Sequence, residues 1–317
     1  MKITIISPFS FGYINALVEE LQSYPSVEVS FIQLDKFKLE YSGVPQRVKN
    51  FFSKTLLCRN IKQKYLEDQI KKEILSCPPS NYILVIRPDK LKGETLLFLK
   101  EHTKQLISYY FDAIVNIPKM KERLPYFDKV YSYEKEDVEK YDLGFITNFI
   151  PVDHYIKNKE NNIVFNISSY DERFPVIEAV ARQLNEQNHP YNILIRQRKG
   201  LKSKYVKMLR DYLPLSETKK MIEQAGILLD IQKCDQKGLS FRVFEALGAG
   251  KKLITTNSAV VDYDFFNPDN ICVINKKKPV ISKEFLNKPY VDIPESIVAK
   301  YRRRAWIKEV FGIEKRN

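Results

Sequence analysis

Residues 237–257 read KGLSFRVFEALGAGKKLITTN, and the fold of the chain is decided there. A short amphipathic helix is expected from about Phe241 to Leu247, opened by Ser240 as N-cap and closed by Gly248 and Gly250. The strand GILLDI (226–231) precedes it and the strand KKLITT (251–256) follows. Strand, loop, short helix and strand make the unit of a parallel doubly wound sheet, whose ligands sit outside the carboxyl ends of the strands. Glu245 is the oddity, an acid among apolar residues on the same helical face as Arg242. Two readings of the pair stay open. One is a helix salt bridge worth roughly 0.2–0.5 kcal/mol. In the other, the helix start and Arg242 hold a diphosphate while Glu245 accepts from two ribose hydroxyls.

Working outward, the same unit recurs. KITIIS, INALVEELQSY and VEVSFIQL read as strand, amphipathic helix and strand, a β-α-β opening. Further strands are expected at YILVIRP (82–88), QLISYYF (105–111), KVYSY (129–133) and FITNFIP (145–151). The run VDHYIKNKENN (152–162) is polar and patternless, and the β-α-β pattern restarts beyond it with IVFNISSYDERFPVIEAVARQL and YNILIRQ. Two domains follow, 1–152 and 153–317, each an α/β Rossmann-like unit, with their carboxyl edges facing across a cleft. The last stretch, IPESIVAKYRRRAWIKEVFG, reads as helical, carries the sole tryptophan, Trp306, and is placed to pack back on the first domain. The turn after the first strand, SPFSFGY, lacks the GxGxxG of dinucleotide sites, and no GxxxxGK[ST] occurs. Any nucleotide must therefore be held without a glycine-rich loop.

Composition narrows the function classes. With 44% hydrophobic and 29% charged residues among 317, the chain can bury a normal core and reads as soluble and globular. Cysteines 58, 77, 234 and 272 and histidines 102, 154 and 189 show no metal-ligand spacing, so no metal site and a reducing cytoplasm are expected. No apolar run suits a signal peptide or a membrane span, which leaves only peripheral membrane contact. The net charge of +13 resides in two stretches: ten Lys/Arg against three acids at 36–72, and twelve against six at 268–317. They read as solvated helical faces or as a surface for a polyanion, including an anionic membrane surface. Within the first, VPQRVKNFFSKTLLCRN (44–60) has the mix of an interfacial or a core-facing amphipathic helix. No RRM, KH or helix-turn-helix pattern accompanies the charge, so no nucleic-acid partner is expected.

The quoted stretch resembles the signature of bacterial GT-B glycosyltransferases, particularly the group 1 (family 4-like) and CgeB-like ones. KVYSYEKEDVEKYDLGFITNFIP (129–151) and FNISSYDERFPVI (165–177) resemble, in the family's order, the end of its first domain and the opening turn of its second. The resemblance implies a GT-B fold and a nucleotide-sugar donor as substrate, with no cofactor. It makes Glu245 the ribose-binding acid and puts Gly238, Leu239, Ser240 and Arg242 around the donor diphosphate. Ser168, Ser169, Tyr170 and Arg173 would line the opening turn, and Arg196 would neutralise phosphate. Many retaining members carry an acid eight residues before the glutamate. Here Lys237 stands there, to hold a phosphate or to be solvated, and retaining stereochemistry is put in doubt. Inversion needs a base, for which Asp112 after LISYYF is the candidate, with helix capping as its other role. The DxD at Asp262–Asp264 reads as an ordinary turn. The implied acceptor is a glycan or lipid-linked acceptor of bacterial lipopolysaccharide or capsule synthesis. A polyanion-binding protein and a nucleotide-sugar epimerase remain the rivals.

Overall fold

The computed structural model describes residues 1–9, 11–40, 43, 60–156, 161–198 and 200–315. Two six-stranded sheets, parallel throughout, carry the chain. The first joins β1 (Lys2–Ser7), β2 (Glu28–Gln33), β3 (Ser80–Ile86), β4 (Thr103–Tyr110), β5 (Lys129–Ser132) and β6 (Gly144–Phe145) in the order β2-β1-β3-β4-β5-β6. The second joins β7 (Val164–Ser169), β8 (Tyr191–Arg196), β9 (Lys207–Leu209), β10 (Ile227–Asp230), β11 (Lys252–Thr255) and β12 (Ile271–Val273) in the order β12-β11-β10-β7-β8-β9. The central strands are buried on both faces, every residue of β1, β10 and β11 included. That is why they read as apolar runs rather than alternations. In register, Ile3 lies between Val29 and Tyr82. Each sheet has core clusters on both faces.

Three expectations change. Of FITNFIP only Phe145 stays in the sheet, as the second residue of β6, because the chain leaves the sheet to run towards the second domain. Phe149 and Ile150 are fully buried, and the Ile150 amide donates to the Tyr301 carbonyl at 2.8 Å. β9 and β12 went unread, at three residues each too short to leave a period. The terminal stretch is not one helix but Glu295–Val298, a 3₁₀ turn Ala299–Tyr301 and a helix Arg303–Phe311, with Arg302 extended between them (φ −75°, ψ 156°). This last helix packs on the first sheet. Trp306, Ile307, Val310 and Phe311 join Ile3, Leu17 and Tyr109 in one cluster, while Arg303 and Arg304 reach Glu20.

Residues 44–59 of the amphipathic stretch lie outside the described residues. Asn60 caps the helix Ile61–Leu75 by accepting from the amides of Lys62 and Gln63. No helix among the described residues is long and apolar enough to cross a membrane.

Candidate active site

The quoted stretch folds as its signals dictate. The helix runs Phe241–Ala249, Ser240 Oγ accepts from the Arg242 amide at 3.2 Å, and Gly250 ends it at φ 61°. Ser240 in turn donates to Asp230 Oδ1 at 2.7 Å, and Thr255 donates to Oδ2 at 3.0 Å. Asp230, at the end of β10, thus ties the helix start to two strand ends. Gly248 sits against Ile150, where a Cβ would approach the isoleucine methyl to 2.4 Å.

Glu245 is fully buried. Arg242 Nη1 lies 2.7 Å from its Oε2, Tyr13 of the first domain donates to its Oε1 at 3.0 Å, and Arg242 Nη2 donates to the Ile167 carbonyl. Burial pushes the Glu245 carboxyl above its ordinary pKa, against the pull of Arg242 and Tyr13. The same burial, with the carboxylate alongside, drives the Tyr13 phenol well up. The pair is therefore a helix salt bridge in geometry but not in magnitude, since removing one member of a buried pair costs about 3–5 kcal/mol.

The loop before the helix is held from the other domain. Glu134 Oε2, at the end of β5, accepts from the amides of Lys237 (2.6 Å) and Gly238 (2.9 Å). Asn148 donates to the Leu239 carbonyl and accepts from Tyr109. Gly238 lies flat on Tyr133, and a Cβ there would come within 2.4 Å of the ring.

Between the two carboxyl edges lies a cavity of about 440 Å³, within the range that takes a small-molecule ligand. The second domain contributes Ser168, Ser169, Arg173, Arg196, Asp230, Lys233, Ser240 and Arg242, and the first contributes Phe9, Phe11, Tyr13, Arg87, Phe111, Asp112 and Tyr133. Asp112 has Arg87 Nη1 at 3.7 Å, Lys233 Nζ at 3.9 Å and Gln236 Nε2 at 3.4 Å. Arg87 is itself forked onto Asp89 at 2.8 and 3.0 Å, the chief cause of its raised pKa. Arg173 is likewise forked onto Asp171, at 2.8 and 2.6 Å. Arg196 is stacked on Tyr212, 3.5 Å from the ring centroid, and its buried Nε has no hydrogen-bond partner among the described residues.

Of the residues singled out in the sequence, Ser168, Ser169, Arg173, Arg196, Gly238, Ser240, Arg242 and Asp112 border this one cavity. Four do not. Leu239 is core. Tyr170 is exposed and turns to Phe174. Glu245 lies outside the cavity lining, fully buried against Arg242 and Tyr13, which do line it. Lys237 is solvated, its ammonium 2.5 Å from Glu136 and two-thirds exposed, on a neighbouring recess. Asp264 accepts from Lys300 and Tyr301 at 2.6 and 2.7 Å. No group of three or more His, Cys, Asp or Glu among the described residues is placed to hold a metal ion.

Sequence reasoning missed Tyr13, Arg87, Glu134 and Asn148. Arg87 had a signal, an arginine directly after the strand YILVI and before a proline. The other three meet their partners only through the domain arrangement.

No family model matches the sequence, and no curated protein does. Solved structures share the fold. A UDP-GlcNAc 2-epimerase from Neisseria meningitidis bound to UDP-GlcNAc superposes with a TM-score of 0.58 at 9% identity, over 99% of this chain and 100% of that one. An α,α-trehalose-phosphate synthase (UDP-forming) from Burkholderia xenovorans, in complex with glucose-6-phosphate, gives 0.58 at 10% identity, over 98% of each. An alpha-glucosyltransferase in complex with UDP and a DNA 13-mer gives 0.54 at 11%, over 86% and 81%. At such identities the likeness establishes the architecture: GT-B, two Rossmann-like doubly wound domains facing a cleft.

Proposed function

We propose that the chain is a glycosyltransferase that moves a sugar from a nucleotide-sugar donor to a glycan or lipid-linked acceptor, without a metal ion. The observation that carries this reading is the cavity itself, closed by the carboxyl edges of both sheets, with Arg173, Arg196, Lys233 and Arg242 on the second-domain wall and Asp112 beside Arg87 on the first. The donor diphosphate lies along the second domain, where Arg196, Lys233 and the Ser169 hydroxyl meet it. Fixed positive charge there stabilises the leaving group as the bond to the anomeric carbon breaks, the task a metal performs elsewhere. Arg242 adds its charge from the cavity wall, oriented by Glu245, which acts through the arginine rather than on the ribose. Asp112 receives the proton of the attacking hydroxyl if the reaction inverts, with Arg87 and Lys233 holding it in place.

The setting is bacterial surface polysaccharide synthesis, lipopolysaccharide or capsule, at the cytoplasmic face of the membrane. The motif resemblance and the two basic stretches support it.

The test is incubation of the full chain with a panel of nucleotide sugars and acceptor glycans, reading free nucleotide and glycan product. Transfer is expected from at least one donor, and it should survive EDTA and Asp264→Ala. Recovery of the donor as an epimer with no acceptor consumed would establish the epimerase reading instead. Loss of activity on chelation, restored by manganese, would overturn metal independence.

A further inference from the structure

Arg87, Arg173 and Arg242 line the cavity and each faces a carboxylate, but one pairing differs. Arg87 is forked onto Asp89 and Arg173 onto Asp171, two nitrogens to two oxygens. Arg242 has no fork. Its Nη1 stands 2.7 Å from Glu245 Oε2 without hydrogen-bond alignment, and neither buried atom has a hydrogen-bond partner among the described residues. The other carboxylate oxygen is engaged elsewhere: Oε1 accepts from Tyr13 Oη at 3.0 Å. Arg242 Nη2 is left to donate to the carbonyl of Ile167, which is on the cavity wall. Tyr13 opens the helix Tyr13–Gln22 directly after Gly12. Gly12 has φ 87°, and a Cβ there would stand 3.0 Å from the Leu215 side chain, so a glycine lets this turn close on the second domain. The Tyr13 ring stacks on Phe241 at 4.2 Å and 17°. A phenylalanine would serve that contact, as Phe111 and Phe149 do edge-on for the same ring. The hydroxyl is therefore surplus to packing, and its one hydrogen-bond partner among the described residues is Glu245.

We infer that Tyr13 is a positioning residue for the donor diphosphate. Its hydroxyl holds Glu245 off a two-armed fork, so that Arg242 keeps its guanidinium on Ile167 and turns its charge to the cavity. Without the hydroxyl, Glu245 Oε1 would be a buried oxygen with no donor, and the carboxylate would rotate to take both arms of Arg242, the geometry that such pairs prefer. A forked carboxylate screens the guanidinium from a second anion. Burial drives the Tyr13 phenol well up, so the hydroxyl stays protonated and donates. The charge of one domain is thereby set by a side chain of the other. This role rests on the donor reading of the cavity.

Calorimetry on the full chain with UDP, GDP and ADP, each beside its monophosphate, tests this role. Tyr13→Phe keeps the stack and removes the hydroxyl. Affinity for the diphosphate that binds should fall roughly two- to thirtyfold, with a smaller loss for the monophosphate. Tyr131→Phe is the control. It removes a hydroxyl that donates to the Glu309 carbonyl at 2.9 Å, and it should lower the unfolding midpoint without moving diphosphate affinity. In the Glu245→Gln background Tyr13→Phe should add no further loss, because the route through the carboxylate is already cut. Wild-type diphosphate affinity in Tyr13→Phe, or an equal loss in Tyr131→Phe, would overturn the inference. So would an additive loss in the double variant, which would mean that Tyr13 meets the ligand itself. Failure of the donor reading would show separately, as a wild type that binds none of the three diphosphates, and the role of Tyr13 would fall with it.

Discussion

The two sheets have the same parallel build, yet the edges they turn to each other differ in chemistry. The edge of the second domain is polar and tied down: Ser240 is fixed to Asp230, Arg173 to Asp171 and Arg242 to Glu245. The edge of the first is largely aromatic, with Phe9 and Phe11 open and Phe111 and Tyr133 behind them. A preorganised polar edge suits a charged ligand, because its dipoles need not reorganise as charge develops. An aromatic edge suits a ligand with apolar faces. One scaffold thus offers two unlike halves of a single site, and the difference lies in side chains, not in topology.

If the polar edge is as tightly built as its contacts imply, Glu245→Gln should lower the unfolding free energy by about 3–5 kcal/mol, since it leaves Arg242 buried without its counter-charge. Urea titration at neutral pH measures this, and a cost below about 0.5 kcal/mol would return the pair to an ordinary surface bridge. Where the two edges touch, Gly238→Ala should cost about 1–3 kcal/mol by driving a methyl into Tyr133. A neutral result there would mean that the edges are free to separate. Ser240→Ala removes the cap of the signature helix and should cost about 0.5–2 kcal/mol, read in the same titration.

The smallest effect is expected away from both edges, at Asp264. Burial raises its pKa, but the hydrogen bonds from Lys300 and Tyr301 outweigh this and hold it below the ordinary 3.8. A carboxyl with a depressed folded pKa stabilises fully above its unfolded value and loses that contribution as pH falls through the folded one. Asp264→Asn should therefore be slightly less stable than wild type at neutral pH, and the gap should close as pH drops below 3.8. A gap that persists at low pH would assign the loss to packing rather than charge.

Much of this was legible in residues alone. The apolar runs ITII, ILVI and ILLD could be satisfied only as strands covered on both faces, and Ser240 with Gly250 marked a helix by cap chemistry that acts within a few residues. Those signals placed Arg196, Ser240 and Arg242 at strand and helix ends that border the cavity. The same local logic left Glu245 open between a helix salt bridge and a ligand contact, and gave no sign of its burial. An Arg–Glu pair three residues apart looks identical in sequence whether it faces water or a neighbouring domain.

Sequence by itself determined the two parallel sheets and the helix start between β10 and β11, because periodicity and capping are local. The tertiary structure alone decided what each charge faces. Tyr13 reaches Glu245 across 232 residues, and Glu134 reaches the Lys237 amide across 103. Such contacts follow from how the two domains are set against each other. That orientation arises from packing summed over the whole interface, the final helix included, and leaves no period in any one segment.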